Sequence, residues 1–96
     1  MPISIIIPTK NRPRSLVAAV RSARAPIPAG GEIIVVDDGS RIPAREALAG
    51  HVGAETTVID NLGQWGPSAA RNAGLKRTSQ PIVLFLDVDD LMISGY

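Results

Sequence analysis

Three apolar runs constrain the fold of this chain most strongly. They are Ile-Ser-Ile-Ile-Ile at residues 3–7, Ile-Ile-Val-Val at residues 33–36 and Ile-Val-Leu-Phe-Leu at residues 82–86. None of them alternates apolar and polar residues, as a strand with one solvated face would. Such runs are typical of strands that are buried on both faces of a parallel sheet. The sequence therefore predicts a parallel sheet whose two faces are both covered.

The segments between these runs fit helices and a further strand. A helix is predicted over residues 13–24, because Pro13 suits a first helical turn, and its apolar stripe is formed by Leu16, Val20 and Ala23. A weak helix is predicted over residues 44–48 and a strand over residues 56–59. Pro67 begins another helix, which runs to about residue 77 and has a face of small residues, namely Ala69, Ala70, Ala73 and Gly74.

This alternation of strands and helices defines the expected fold class. It is α/β, with a Rossmann-like, open and mainly parallel sheet of about four strands flanked by helices. The first strand is expected to cover residues 3–7 and to be closed by Pro8, and the second is expected over residues 32–36. A length of 96 residues allows a single domain, which we assign to residues 1–96.

Composition excludes several classes of function. The net charge of +1 gives no indication of nucleic-acid binding. The absence of cysteine excludes disulfides and thiolate metal sites. No apolar run is long enough to cross a bilayer, and the amino terminus lacks the pattern of a signal peptide. We therefore expect no transmembrane segment and a cytoplasmic protein, either free or peripheral at the inner face of the membrane.

Three carboxylates follow the last apolar run. Asp87, Asp89 and Asp90 lie within four residues of one another, and like charges at that spacing raise one another's pKa unless a cation lies among them. Hard divalent cations with oxygen ligands, Mg²⁺ or Mn²⁺, meet this need. The alternative is a solvated turn or a helix cap. Because ligands of open α/β sheets bind beyond the carboxyl ends of the strands, the motif indicates a metal-dependent phosphate site.

Four segments of the chain, taken in order, resemble the nucleotide-sugar half of a family 2 glycosyltransferase with the GT-A fold. Each segment is common alone, but all four at this spacing are specific, and together they cover almost the whole chain. They are SIIIPTKNR at residues 4–12, EIIVVDDGS at residues 32–40, GPSAARNAG at residues 66–74 and FLDVDD at residues 85–90.

The resemblance implies nucleotide-binding roles for five residues. In the family, the loop after the first strand contacts the nucleoside, which falls here on Pro8, Thr9 and Arg12. The second acidic residue after strand two contacts the uracil edge, which falls on Asp38. The helix that contains the Ala-Arg-Asn motif lies beside the donor, and Arg71 is its polar contact.

The resemblance also implies a metal cofactor. Asp89 matches the main ligand of Mn²⁺ or Mg²⁺, and Asp87 and Asp90 support it. The ion bridges the donor diphosphate. Charge compensation of this kind is consistent with the sequence, which has neither a Walker lysine loop nor a Gly-x-Gly-x-x-Gly segment to bind phosphates.

Structural roles are the alternatives for these residues. Asp38 can stabilise its turn through an Asx hydrogen bond, and Asp37 is expected to be structural. Thr9, Asn11 and Arg12 can be capping or solvated residues. Arg71 can be a surface charge on its helix.

The implied activity is transfer of a sugar from a nucleotide diphosphate sugar, UDP-linked, to a glycan, lipid or other acceptor. The acceptor half and the catalytic base of the family lie beyond the acidic motif, so the catalytic residue is unknown here. The 96 residues are expected to bind nucleotide and metal better than they catalyse. The alternative function is a catalytically incomplete remnant that acts as a nucleotide-binding or protein-interaction module. Residues 82–86 would then present an open sheet edge through which the chain self-associates.

Overall fold

A computed structural model describes residues 3–25, 27, 30–61, 67–78 and 80–88. Strands and helices alternate along these residues, as the sequence predicts. The elements are β1 (Ile3–Thr9), α1 (Pro13–Arg24), β2 (Glu32–Asp37), α2 (Ala44–Ala47), β3 (Thr56–Asp60), α3 (Pro67–Leu75) and β4 (Ile82–Phe85).

The four described strands form one sheet with the order β3-β2-β1-β4, and every pairing is parallel. The register aligns the carboxyl ends of three strands, because Thr9 of β1 lies opposite Asp37 of β2, and Asp37 lies opposite Asp60 of β3. The α/β class and the parallel sheet are therefore confirmed. The loops that follow the strands meet at one edge of the sheet.

The apolar runs of β1 and β2 are buried on both faces because successive side chains of a strand point in opposite directions. The same prediction is wrong for the third run, since Ile82, Leu84 and Phe85 of β4 are exposed. On one face, Ile5 and Ile33 pack in a core that includes Leu16 and Val20 of α1. On the other face, Ile6 and its neighbours on β2 pack against α3. Ile5 and Ile6 are each 1% exposed or less. The continuous hydrophobicity of β1 and β2 thus reflects two separate cores.

Helix α3 lies very close to the sheet. A Cβ atom added to Gly74 would lie 2.5 Å from Cγ2 of Ile6. Ala70 is buried and Ala73 is half-buried in the same cluster. The predicted face of small residues is confirmed, although the helix ends at Leu75 and not near residue 77.

The prediction that Pro8 closes the first strand is wrong. β1 continues to Thr9, and Pro8 lies opposite Val36. Successive residues of a central parallel strand direct their backbone groups to alternate neighbours. Ile6 faces β4, since its carbonyl accepts from the Leu86 N–H at 2.9 Å, and Pro8 therefore faces β4 as well. The β4 pairing ends at Ile6, so the missing N–H of Pro8 interrupts no bond to β2.

β4 forms one edge of the described sheet. Ile82, Leu84 and Phe85 are 38%, 44% and 46% exposed. The expectation of an apolar edge therefore agrees with the described residues, whereas self-association through it stays a prediction. None of the helices in the described part of the chain has the length and apolar character that crossing a membrane requires.

Candidate functional site

A pocket of about 390 Å³ opens beyond the carboxyl ends of β1, β2 and β4. Its volume lies in the range of small-molecule sites. Residues of the three strand ends and of α3 line it: Pro8, Thr9, Lys10, Arg12, Asp38, Ala70, Arg71, Phe85, Leu86, Asp87 and Val88. The structure thus brings together all five predicted nucleotide-binding residues, together with Asp87 of the acidic motif.

The first wall of the pocket comes from the end of β1. Thr9 is 5% exposed, and its carbonyl accepts a hydrogen bond from the Asp38 N–H at 2.9 Å. This bond joins the ends of β1 and β2. Arg12 occupies the N-cap position of α1, where its side chain makes no capping hydrogen bond, and it is exposed at the pocket. The capping alternative for Arg12 is therefore not supported.

The adjacent residues Asp37 and Asp38 have different hydrogen-bond partners and different roles. The Asp37 carboxylate accepts hydrogen bonds from the N–H of Ser40 at 2.9 Å and of Ala44 at 2.8 Å. These bonds fold the loop after β2 and begin α2. The expectation that Asp37 is structural is confirmed.

The Asp38 side chain lines the pocket although the residue is only 7% exposed. Its Oδ1 accepts a hydrogen bond from Nδ2 of Asn61 at 3.1 Å. This bond reaches across to the end of β3 and does not belong to the turn that follows Asp38. The carboxylate is thus held in the wall of the pocket, where it can accept a hydrogen bond from a ligand.

Two asparagines connect the strand ends through contacts that the sequence did not predict, although Asn11 was expected as a capping or solvated residue. Asn61 is the partner of Asp38. Asn11 has a φ of 54°, accepts from the Arg41 N–H at 2.7 Å through Oδ1 and donates its own N–H to Ser40 Oγ at 2.9 Å. Asparagine tolerates this left-handed conformation better than most residues do. For both asparagines, the only indication in the sequence was a polar residue shortly after a predicted strand.

Cationic side chains surround the opening of the pocket. Lys10 and Arg12 follow β1, and Arg71 projects from α3. Arg71 is exposed, as its surface-charge alternative requires, and it also lines the pocket. The site thus contains three cationic and two acidic side chains. The cations suit an anionic group of a ligand, and the carboxylates suit hydrogen-bond donors elsewhere on the same ligand.

The predicted metal site is only partly described. Asp87 is exposed and lines the pocket, so one carboxylate of the predicted set belongs to the site. Asp89 and Asp90 lie outside the described residues. Within the described ranges, no cluster of three acidic, histidine or cysteine side chains could hold a metal. The metal role of the three aspartates stays a prediction.

The chain matches known glycosyltransferases in sequence. It fits the model of the family described as Glycosyl transferase family 2 over residues 4–95. It is 36% identical over 89 residues to a pre-mycofactocin glycosyltransferase of Mycobacterium tuberculosis, covering 91% of this chain and 17% of that protein. It is 30% identical over 93 residues to the UDP-Glc:alpha-D-GlcNAc-diphosphoundecaprenol beta-1,3-glucosyltransferase WfgD of Escherichia coli, covering 97% and 37%. The chain thus spans well under half of the length of either relative.

Solved structures share the fold. The chain resembles TarS of S. aureus (residues 1–349) with a TM-score of 0.75 and 30% identity, covering 95% of this chain and 28% of that one. The mannosyltransferase PcManGT of Pyrobaculum calidifontis, in complex with GDP-Man and Mn²⁺, gives a TM-score of 0.82 at 23% identity, with coverage of 93% and 28%. Glucosyl-3-phosphoglycerate synthase of Mycobacterium tuberculosis, in complex with Mn²⁺ and UDP, gives a TM-score of 0.76 at 23% identity. This match covers 91% of this chain and 33% of that one. The fold is therefore of the GT-A type, and since the family model spans residues 4–95, the chain belongs to glycosyl transferase family 2.

Proposed function

We propose that this chain binds the donor substrate of a glycosyltransferase, a UDP-sugar, together with Mn²⁺ or Mg²⁺. The sugar would be transferred to a glycan, lipid or other acceptor. The observation that carries the proposal is the single pocket that Pro8, Thr9, Arg12, Asp38 and Arg71 line together. A nucleotide diphosphate sugar has a base, a diphosphate and a sugar, and the pocket offers groups of suitable chemistry for the first two.

The base end of the proposed site is formed by Thr9 and Asp38. Both are nearly buried, and an ionised carboxylate is acceptor-only, so Asp38 can accept a hydrogen bond from the imide N–H of uracil. Guanine also presents N–H groups to a carboxylate. Competition between UDP and GDP therefore tests which base this site prefers.

The diphosphate end of the proposed site combines cationic side chains with the acidic motif. Lys10, Arg12 and Arg71 would attract the phosphates electrostatically. Asp87, together with Asp89 and Asp90, would hold the divalent cation. When bound, that cation supplies positive charge to the diphosphate leaving group. The residues of this chain would bind the donor beyond the carboxyl ends of the strands.

The first test is calorimetric binding of UDP in the presence of Mn²⁺ and, separately, of EDTA. We expect binding that depends on Mn²⁺, and we expect Asp89→Ala to abolish this dependence. Undiminished Mn²⁺-dependent affinity of the variant would contradict the assignment of Asp89.

The second test addresses Asp38. Hydrogen bonds to charged groups contribute about 1.5–3 kcal/mol, which corresponds to a loss of UDP affinity of about tenfold or more in Asp38→Ala. Asp60→Ala is the matched control, because Asp60 ends the neighbouring strand opposite Asp37 but is exposed and is not among the residues that line the pocket. Equal affinities of the two variants would refute the role of Asp38.

One observation favours the second candidate, a protein-interaction module. The exposed apolar side chains of Ile82 and Leu84 lie on the edge strand of the described sheet, and such an edge can pair with a second copy of the chain. Light scattering should then show a dimer that Leu84→Lys returns to a monomer without any added nucleotide. A wild-type monomer at all concentrations would contradict this candidate.

A further inference from the structure

Asn61 contacts the candidate site through Asp38. It follows the last residue of β3, is 8% exposed, and is not among the described residues that line the pocket. Its N–H donates to the Asp37 carbonyl at 2.9 Å, which extends the pairing between β2 and β3 by one residue. Its side chain is thereby brought beside Asp38, to which Nδ2 donates at 3.1 Å. The backbone of Asn61 thus binds Asp37, the last residue of β2, and its side chain binds Asp38, the first residue of the following loop.

We propose that Asn61 is a positioning residue that orients the Asp38 carboxylate toward the nucleobase. This inference rests on the proposed function, in which Asp38 contacts the base. The terminal torsion of an aspartate is broad and roughly two-fold, so a carboxylate without a fixed partner can turn easily. A donor attached to a rigid sheet selects one orientation before the ligand arrives, which reduces the ordering cost of binding.

The chemistry of the amide suits this task. The Asn61 amide is neutral, so it donates a hydrogen bond without forming an ion pair with the carboxylate. The Asp38 carboxylate thus keeps lone pairs that can accept a hydrogen bond from a ligand, and hydrogen bonds to a carboxylate are stronger than those between neutral groups. A lysine or arginine at position 61 would hold the same oxygen but would compete electrostatically with a ligand N–H.

Two probes separate orientation of Asp38 from general support of the fold. UDP engages the whole proposed site, whereas inorganic pyrophosphate engages only the diphosphate end. Affinities for both are measured by calorimetry with Mn²⁺ for the wild-type chain, Asn61→Leu, Asn61→Ser and Thr56→Val. Leucine removes the amide at similar volume, and serine places its hydroxyl one bond nearer the backbone in case leucine prevents folding.

The control variant is Thr56→Val, at the first residue of β3, the strand that Asn61 follows. Thr56 Oγ1 is buried and has no hydrogen-bond partner among the described residues, so Thr56→Val makes a comparable apolar change without removing a bond. We expect both Asn61 variants to bind UDP about tenfold or more weakly and pyrophosphate within about twofold of wild type. We expect Thr56→Val to bind both probes like the wild-type chain.

Each other outcome overturns the inference in a distinguishable way. Unchanged UDP affinity in the Asn61 variants would mean that Asp38 needs no orientation. Equal loss of both probes would assign Asn61 a purely structural role. A wild-type chain that binds UDP no more tightly than pyrophosphate would refute the contact of Asp38 with the base. A folded wild-type chain that binds neither probe would refute the proposed function itself, and the inference with it.

Discussion

The close approach of α3 to β1 leads to a quantitative prediction for Gly74→Ala. The added Cβ would lie 2.5 Å from Cγ2, 3.3 Å from Cγ1 and 3.2 Å from Cδ1 of Ile6. The first of these distances is shorter than a van der Waals contact. Ile6 is fully buried and β-branched, so its side chain has few alternative rotamers to adopt. Helix or side chain must therefore shift.

Two opposing contributions set the size of the effect. Overpacking a core by one methyl group costs about 1–3 kcal/mol. Replacing glycine by alanine inside a helix gains about 1 kcal/mol from propensity. In the wild-type background, Gly74→Ala should thus lower the free energy of unfolding by about 0–2 kcal/mol.

Removing the Ile6 side chain should reverse the sign. Ile6→Ala itself destabilises by about 2–5 kcal/mol, but it leaves space for the new methyl group. In that background, Gly74→Ala keeps its propensity gain of about 1 kcal/mol and adds about 0.8 kcal/mol from burial of the methyl group. The two backgrounds should therefore differ by about 2–4 kcal/mol in their response to Gly74→Ala.

Urea denaturation followed by circular dichroism, applied to all four chains of the double-mutant cycle, measures this coupling. Gly50→Ala in both backgrounds is the control. Gly50 has a φ of 80° but no atom within 4 Å of an added Cβ, so its substitution should cost about 1–2 kcal/mol from backbone strain alone, equally in both backgrounds. If Gly74→Ala has the same effect with and without the Ile6 side chain, the packing argument is refuted.

Two further predictions concern polar side chains. Asp37→Ala should lower the free energy of unfolding by about 2–4 kcal/mol, because two backbone N–H groups lose their acceptor; a loss no greater than that of the exposed Asp60→Ala in urea denaturation would contradict this. Partial desolvation raises the pKa of Glu55, but hydrogen bonds from Arg24 and the local backbone outweigh it and bring the pKa below its usual 4.5. The stability that this carboxylate contributes is therefore present above about pH 4.5 and is lost as the pH falls through its lowered pKa. In denaturation at pH 7 and at pH 3, Glu55→Gln should be less stable than wild type at pH 7 and the difference should be smaller at pH 3, with Glu46→Gln as control; a difference of the same size at both pH values would refute the linkage.

The elements of the fold were predictable where local pattern and burial agree. The apolar runs of β1 and β2 indicated strands buried on both faces, and Pro13 marked the beginning of α1 at the residue where the helix starts. The end of β1 was not predictable in the same way. Proline removes a donor wherever it occurs, but whether that donor was needed depends on which neighbouring strand it faces.

The candidate site was predictable in its composition but not in its connections. Pro8, Thr9, Arg12, Asp38 and Arg71 line one pocket because the first four lie at or just beyond the carboxyl ends of β1 and β2, and α3 brings the fifth. The bond from Asn61 to Asp38 spans 23 positions of the chain. No local pattern reports a contact at that separation.

By itself, the sequence determined the α/β class, the burial of β1 and β2, and the strand ends that carry the acidic and basic groups. These properties depend on hydrophobicity and residue type along the chain, and both can be read locally. The sequence and the resemblance separated a structural Asp37 from a ligand-contacting Asp38, but only the tertiary structure decided which groups hold them. The two residues are adjacent and chemically identical, yet Asp37 contacts Ser40 and Ala44 whereas Asp38 contacts Asn61. Such a difference arises from register and long-range pairing, which exist only after the strands have assembled.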